Sequence, residues 1–312
     1  WCRSAPHTLK LGRCVGFAGS TLNEGMSPRV ADECESFAVP LRFCDVVEHS
    51  PFVDAPFRWR MGVRGLAEDL WLQPDDQREA DLAEKAAILA RDPYQVMRQL
   101  PVAAAAVTEL LVLITDDLAR RGLPPPPTGG VAIDRAGRAV QEDLCVMQPV
   151  NGRWSLVAGS VCFPTRWSLV DKIGKSLAAI HTPVPNYATD LGPQVERFFD
   201  RMTAGSLAYR LNWSLVGQPD RRLPAMARQA PIDLPADPGQ ELFVRIERQT
   251  LRRLRTNAAI VFGIRIHVWP LGEVVDDVVA AGFVHELREI PFDVATYKNL
   301  DGMRTQLIAW LG

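Results

Sequence analysis

The sequence predicts an α+β fold in which a curved, largely antiparallel sheet is flanked by helices. Strand-like segments follow one another in a single block in the middle of the chain, and helical patterns occupy the segments before and after that block. Strands and helices that are separated in this way are typical of α+β proteins. A curved sheet with helices packed on one side can hold a flat apolar ligand.

Helices are predicted on both sides of the strand block. Residues 82–91 and 102–121 have helical patterns, and the second pattern ends at basic residues followed by Gly122, which is a common helix terminus. A stiff Pro- and Gly-rich stretch at residues 124–130 predicts the connection to the strands. Further helices are expected at residues 194–202, 274–289 and 300–311.

Five segments have the composition and alternation of strands. They are residues 142–147, 154–163, 207–216, 242–249 and 258–269. Alternation in the last segment places Ile264, Ile266 and Val268 on one face of the sheet, with Arg265 and His267 on the other.

Bulk composition is that of a soluble globular protein and argues against two classes of partner. The 312 residues are 47% hydrophobic and 23% charged, which is ordinary for a folded domain. The formal net charge of -2 creates no basic field, so nucleic acid is not an expected partner. No apolar run reaches the roughly 18–20 residues of a membrane span, and no signal peptide is recognised. We expect a cytoplasmic protein with no membrane partner.

The N-terminal segment differs from the rest of the chain. Residues 1–50 are rich in Gly, Ser, Pro and Cys and show no regular period, so we predict an extension of uncertain order before a main domain over residues 51–312. Six cysteines are present, and none forms a C-x-x-C pair. We expect reduced thiols, with Cys145 and Cys162 packed as small hydrophobic side chains, and neither a zinc nor an iron–sulfur site.

Among the five histidines, His181 lies in the most constrained setting. It follows a predicted short helix or turn at residues 172–180 and precedes Pro183 and Pro185, whose rings restrict the backbone. A stiff loop suits a metal ligand, whose geometry has to be held. The pattern also fits a loop histidine that is hydrogen-bonded to the backbone. His267 lies on a predicted strand and faces either a ligand or solvent.

Three acidic and basic side chains lie at the ends of predicted strands. Glu142 and Asp143 open one strand, and at most one of them faces a given pocket because adjacent strand residues point to opposite faces. A strand-end cap or a salt bridge is the alternative role for this pair. Arg166 follows another strand and can pair with a carboxylate, or it forms a surface ion pair.

Two later strands carry polar side chains in alternation. Arg210 and Asn212 share one face, while Trp213 lies on the other, in the core or in the wall of an aromatic pocket. Residues 245–253 are dense in charge, and they form either a solvated strand end or buried groups, Glu247 among them, that require partners. Nucleotide-binding, serine-hydrolase and zinc-protease signatures are absent from the sequence.

Taken in order along the chain, these segments resemble one known family. The matching motifs are Glu142-Asp143-Leu144-Cys145, Val161-Cys162-Phe163-Pro164-Thr165-Arg166-Trp167, Lys172-Ile173-Gly174, Ile180-His181-Thr182-Pro183-Val184-Pro185, Arg210-Leu211-Asn212-Trp213-Ser214 and Glu247-Arg248-Gln249-Thr250-Leu251-Arg252-Arg253-Leu254. They are similar to those of the α-subunit family of haem-dependent oxidative N-demethylases. Residues 57–63 resemble its N-terminal signature. Arg255-Thr256-Asn257 departs from the pattern, because a proline is expected there.

The resemblance implies a PAS-like fold that holds haem b. It also implies the use of dioxygen to remove the methyl group of a small, dimethylamine-like secondary amine, with release of formaldehyde. Electrons are then expected from NADPH through partner flavin and iron–sulfur subunits, since this chain has no motif for either centre. His181 becomes the expected axial ligand of the iron, with His267 as the runner-up.

The same resemblance suggests roles for further residues. Arg166 and Arg210 are expected to pair with the haem propionates, and Trp213 is expected to pack against the macrocycle. Glu142 or Glu247 is expected to bind the substrate ammonium or to accept its proton, because an amine must lose its proton before its methyl group is oxidised easily.

Two other functions stay open at the level of the sequence. A PAS-like fold also suits a haem-binding sensor or carrier without catalytic turnover. A family member that has lost haem would instead act as a scaffold, but the retention of His181 with its flanking prolines argues against that loss.

Overall fold

The computed structural model of the chain describes residues 61–225 and 232–312. The extension predicted for residues 1–50, with its four cysteines, lies outside the described residues, as do residues 57–60 of the N-terminal motif. Within the described ranges the predicted α+β class is confirmed, because helices flank a single antiparallel sheet. None of the helices in these ranges is both long and apolar enough to cross a membrane.

Seven strands of the described chain form the sheet, in the order β1-β5-β6-β7-β3-β4-β2. They are β1 Arg64–Gly65, β2 Met97–Gln99, β3 Asp143–Val150, β4 Arg153–Ser160, β5 Leu207–Val216, β6 Phe243–Arg253 and β7 Ile260–Pro270. All neighbouring strands are antiparallel. The five predicted strands are all present, whereas β1 and β2 are too short to produce a periodic signal. A bulge between Val146 and Met147 bends β3.

Twelve α-helices lie within the described ranges. In chain order they are α1 Arg78–Arg91, α2 Pro93–Val96, α3 Ala104–Arg120, α4 Ala132–Ala139, α5 Leu169–Lys172, α6 Leu177–Ile180, α7 Gly192–Arg201, α8 Pro238–Glu241, α9 Leu271–Val274, α10 Asp277–Glu289, α11 Phe292–Tyr297 and α12 Arg304–Leu311. The helix predicted over residues 274–289 is interrupted at Asp276. Its carboxylate accepts hydrogen bonds from the amides of Val278 and Val279 at 3.0 and 2.8 Å, which caps a new helix.

The two faces of the sheet are both covered, rather than one face alone. The first face, defined by Leu144, Ile246 and Val261, packs against α3 and α4 at one end and against α10 to α12 at the other. The second face, defined by Cys145 and Phe262, is covered by α5, α6 and α7 at one end and by α1 and α2 beside Ile266.

The charged residues of β6 do not form the solvated strand end that the sequence also allowed. Arg245, Arg248 and Arg252 are all buried, because alternation directs each one toward a covered face. Arg252 pairs with Glu68 at 2.5 Å on the first face. Three backbone carbonyls accept hydrogen bonds from the Arg245 guanidinium on the second face, at 2.8, 3.0 and 3.3 Å.

The prediction for two of the cysteines is also confirmed. Cys145 and Cys162 are free thiols and both are buried. Burial raises the pKa of each thiol to about 12, so both stay protonated at neutral pH and behave as small apolar side chains.

Candidate functional site

His181 follows α6 directly, and one of its ring nitrogens is fixed by that helix. Its Nδ1 lies 2.9 Å from the carbonyl oxygen of Leu177. A carbonyl oxygen only accepts hydrogen bonds, so Nδ1 carries the proton and donates it. Nε2 then bears the free lone pair, which is the form of imidazole that binds a metal. No hydrogen bond to Nε2 is found within the described part of the chain.

Tyr187 provides a second restraint on the same ring. The His181 and Tyr187 rings stack with centroids 4.4 Å apart. Tyr187 begins a π-helical turn, and the preceding Asn186 adopts a left-handed backbone conformation with φ of 54°, which asparagine tolerates. The Tyr187 hydroxyl is buried and has no hydrogen-bond partner among residues 61–225 and 232–312. A polar group of a bound ligand would satisfy it.

The electrostatic environment keeps His181 neutral. Its pKa is lowered to about 4, chiefly by burial and in part by the charges of Lys172 and Arg210, against the opposing effect of the Leu177 carbonyl. A histidine with so low a pKa is uncharged at neutral pH. Metal binding requires this uncharged form.

Glu247 lies on the second face of the sheet, where its carboxylate is held by three donors. Asn212 and Gln249 donate side-chain amide hydrogen bonds to Oε2 at 3.3 and 2.7 Å. The hydroxyl of Thr165 donates to Oε1, and Thr165 itself accepts a hydrogen bond from Nε of Arg245 at 3.0 Å. The carboxylate therefore has a fixed orientation.

Two cations near His181 have no carboxylate partner among the described residues. Arg210 forms no ion pair there, and its buried Nε has no hydrogen-bond partner. The ammonium of Lys172 lies 4.6 Å from the centre of the Trp167 ring and makes no ion pair. Burial lowers the pKa of both groups, and Glu247 opposes that effect. Unpaired cations of this kind are costly unless an anion joins them.

Arg166 belongs to the same side of the molecule. It follows Thr165 in the loop after β4, and its backbone N–H donates to the carbonyl of Leu223 at 2.6 Å. Its φ of 58° is unusual for a residue with a long side chain. The guanidinium makes no ion pair within the described part of the chain, and burial lowers its pKa.

Two of the predicted site residues lie elsewhere. Trp213 is on the first face of the sheet, where its ring packs edge-on against Phe283 at 5.0 Å. Glu142 accepts a hydrogen bond from the amide of Gln73 at 3.2 Å and lies beside Gly263 of the first face. The structure thus brings His181, Arg166, Arg210 and Glu247 to one side and does not bring Trp213 or Glu142 to it.

His267 is on the first face as well, on the opposite side of the sheet from His181. It stacks on Trp269 with ring centroids 5.3 Å apart. Its pKa is lowered to about 3, chiefly by burial and in part by the positive charge of Arg265. Its Nε2 is buried and has no hydrogen-bond partner in the two described ranges. The two candidate iron ligands are therefore alternatives on different faces.

Several residues of the site were not assigned a role from the sequence. Thr165, Lys172 and Asn212 lie inside recognised motifs, but nothing in their spacing places them near Glu247. Gln249 lies two residues from Glu247 on β6, so the two side chains share a face of the sheet. This spacing is the sequence signal that could have identified Gln249. Tyr187 is six residues beyond His181 in an irregular segment, where no periodicity predicts a ring stack.

A family model covers this side of the molecule. The model described as haem-dependent oxidative N-demethylase, alpha subunit-like, matches residues 126–308, more than half of the chain. The matched segment contains His181, Arg166, Arg210 and Glu247 together with strands β3 to β7. Helices α1 and α3 precede it. The chain belongs to the haem-dependent oxidative N-demethylase, alpha subunit-like family.

Proposed function

We propose that this protein is the haem-binding subunit of an oxidative N-demethylase, and that His181 is the axial ligand of the haem iron. The observation that carries the proposal is the hydrogen bond from Nδ1 of His181 to the Leu177 carbonyl, which leaves Nε2 free for a metal. A hydrogen bond of this kind at the second ring nitrogen is usual for histidines that bind metals.

The surrounding residues fit a haem. Two aromatic side chains on the side of the second face are only partly buried, Phe262 and Trp167, and they offer contacts for a flat macrocycle. Arg166 and Arg210 lack carboxylate partners among the described residues, and both suit propionates. We also propose that the sheet is PAS-like and that the bound haem is haem b.

The reaction is the oxidation of the N-methyl group of a small secondary amine. When bound, haem supplies the activation of dioxygen. One oxygen atom enters a C–H bond of the methyl group and the other leaves as water, which consumes two electrons and two protons. The resulting carbinolamine releases formaldehyde and the demethylated amine. NADPH supplies the electrons through partner flavin and iron–sulfur subunits.

Glu247 is the group that we assign to the substrate nitrogen. Its carboxylate is held by Thr165, Asn212 and Gln249, so it binds an ammonium in a fixed position and accepts its proton. General-base assistance of this kind contributes about 100-fold or more to a rate.

The test compares two variants that make the same chemical change on opposite faces of the sheet. The haem-loaded protein is supplied with NADPH, reductase subunits and a panel of N-methylated amines, and formaldehyde is measured. We expect Glu247→Gln to lower the rate at least tenfold with an unchanged Soret band, whereas Glu142→Gln stays close to wild type. Haem binding without formaldehyde from any amine would identify a sensor or carrier instead, and a protein with no Soret band would refute the proposal.

A further inference from the structure

We propose that the substrate carries an acidic group beside its methylated nitrogen, as an N-methyl-α-amino acid does. In this proposal Lys172 binds the acidic group and Glu247 binds the nitrogen. The inference rests on the proposed function, because it specifies the substrate class of the same site.

The charge around Glu247 favours a ligand that carries its own negative charge. Lys172, Arg210, Arg245 and Lys298 each interact electrostatically with its carboxylate, so one carboxylate interacts with four cations. An amine whose only charge is its own ammonium would enter a region of net positive charge, and like charges repel. A zwitterion brings its own negative charge and avoids that repulsion.

Only Lys172 among these four cations has no other role. The Lys298 ammonium donates a hydrogen bond to a backbone carbonyl at 2.7 Å. Arg245 donates hydrogen bonds to the carbonyls of Phe163 and Arg221 at 3.0 and 2.8 Å, so it holds the local backbone. Arg210 is assigned to a propionate. Lys172 rests on the Trp167 ring at 4.6 Å, with no ion pair among the described residues, and its ammonium is available to a ligand.

Lys172 and Glu247 are held near each other but form no ion pair with each other. The ring that carries the Lys172 ammonium, Trp167, is two residues from Thr165, which donates a hydrogen bond to Glu247. Three donors hold the Glu247 carboxylate, and the cation–π contact restrains Lys172. Opposite charges that are held close but apart match a ligand with an ammonium and a carboxylate on one carbon atom. A simple dialkylamine has only an ammonium, so it would pair with Glu247 and leave Lys172 without an anion.

The experiment measures binding of two probes of the same shape to the haem-loaded protein by calorimetry. N-methylglycine carries the carboxylate, and N-methylglycinamide replaces it with a neutral amide. We expect wild type to bind N-methylglycine at least tenfold more tightly. Lys172→Gln abolishes this preference, Lys172→Arg retains most of it, and Lys175→Gln, a change at the exposed lysine three residues away, leaves it intact. Haem content and thermal melting of each variant establish that it is folded.

The outcomes separate this inference from the proposed function. Equal binding of the two probes to wild type, or an undiminished preference in Lys172→Gln, overturns the inference. Formaldehyde release from dimethylamine by the same preparation then leaves the proposed function standing. A protein that takes up no haem overturns both.

Discussion

The His181 and Tyr187 rings are almost parallel, with an interplanar angle of 13° and centroids 4.4 Å apart. The hydrogen bond from His181 Nδ1 to the Leu177 carbonyl fixes the same ring at one edge. The two contacts act in different directions, so the ring can neither rotate nor tilt freely. Nε2 therefore has a defined direction, which is what an axial ligand requires.

Loss of the His181–Tyr187 ring stack should weaken haem binding, whereas a substitution that keeps an aromatic ring at position 187 should not. Tyr187→Leu loses the aromatic surface and lets the His181 ring turn, and we expect haem affinity to fall by about tenfold, the lower end for partners that orient a metal ligand. Tyr187→Phe keeps the ring and should bind haem nearly as wild type. Competition titrations with a second haem-binding protein measure both. Equal affinity in Tyr187→Leu and wild type would show that the stack does not orient the ligand.

Lys85 and Asp143 join α1 to the loop that carries the site. The Lys85 ammonium is fully buried, 3.9 Å from the Asp143 carboxylate. That carboxylate accepts hydrogen bonds from the amides of Cys162 and Phe163 at 2.8 and 2.7 Å, just before Thr165. Burial raises the pKa of Asp143, and Lys85 and the two amides oppose that rise.

We expect Lys85→Met to destabilise the protein strongly, because it leaves the Asp143 carboxylate buried without this cation. Breaking a buried pair from one side costs about 3–5 kcal/mol. The double variant Lys85→Met/Asp143→Asn removes both charges and should recover part of that loss. The rest persists, because an asparagine accepts from only one of the two amides and two backbone carbonyls still lose the Lys85 ammonium. Urea unfolding of the three proteins measures the difference. A double variant less stable than Lys85→Met would contradict a charge-based origin.

Glu109 on α3 holds the turn between β6 and β7, at the place where the family pattern predicted a proline. Its carboxylate accepts hydrogen bonds from the backbone amides of Arg255, Thr256 and Asn257 at 2.6, 3.0 and 3.0 Å. A proline at any of these positions has no N–H to donate. In place of the expected proline, this chain therefore fixes the turn with hydrogen bonds to Glu109.

Stability should depend on pH through Glu109. Burial alone would raise its pKa, but hydrogen bonds from Thr256 and Asn257 lower it from 4.5 to about 2. The carboxylate thus stabilises the fold above pH 4.5, and this contribution is lost as the pH falls toward 2. We expect Glu109→Gln to cost about 1 kcal/mol at pH 7, since the site is partly exposed to solvent.

The measurement is urea unfolding of wild type and Glu109→Gln at pH 7 and pH 3. The stability difference between the two proteins should shrink to less than half at pH 3. A difference that is the same at both pH values would mean that ionisation of Glu109 does not stabilise the turn.

The sequence predicted the strands better than it predicted the site. Alternation along β7 correctly separated Ile264 and Ile266 from Arg265 and His267, because side chains of a strand point alternately to its two faces. The pairing of Asn212 with Glu247 was not predictable, since the register of two strands far apart in sequence depends on the packing of the whole sheet.

The rest of the site depends on how the helices pack on the two faces of the sheet. Motif order could not reveal that α6 packs on the second face, so it could not separate His181 from Trp213, which faces the other way. Tyr187 was missed for a similar reason. Its contact with His181 comes from an irregular turn with a left-handed residue at Asn186, a geometry without a periodic pattern.

The most direct test of iron ligation by His181 compares the absorption spectra of two haem-reconstituted variants. Each variant has one histidine replaced, on a different face of the sheet. We predict that His181→Ala loses or shifts the Soret band, because Nε2 of His181 is the iron ligand, and that His267→Ala retains the wild-type band. An unchanged Soret band in His181→Ala, together with its loss in His267→Ala, would contradict the account and place the haem on the opposite face.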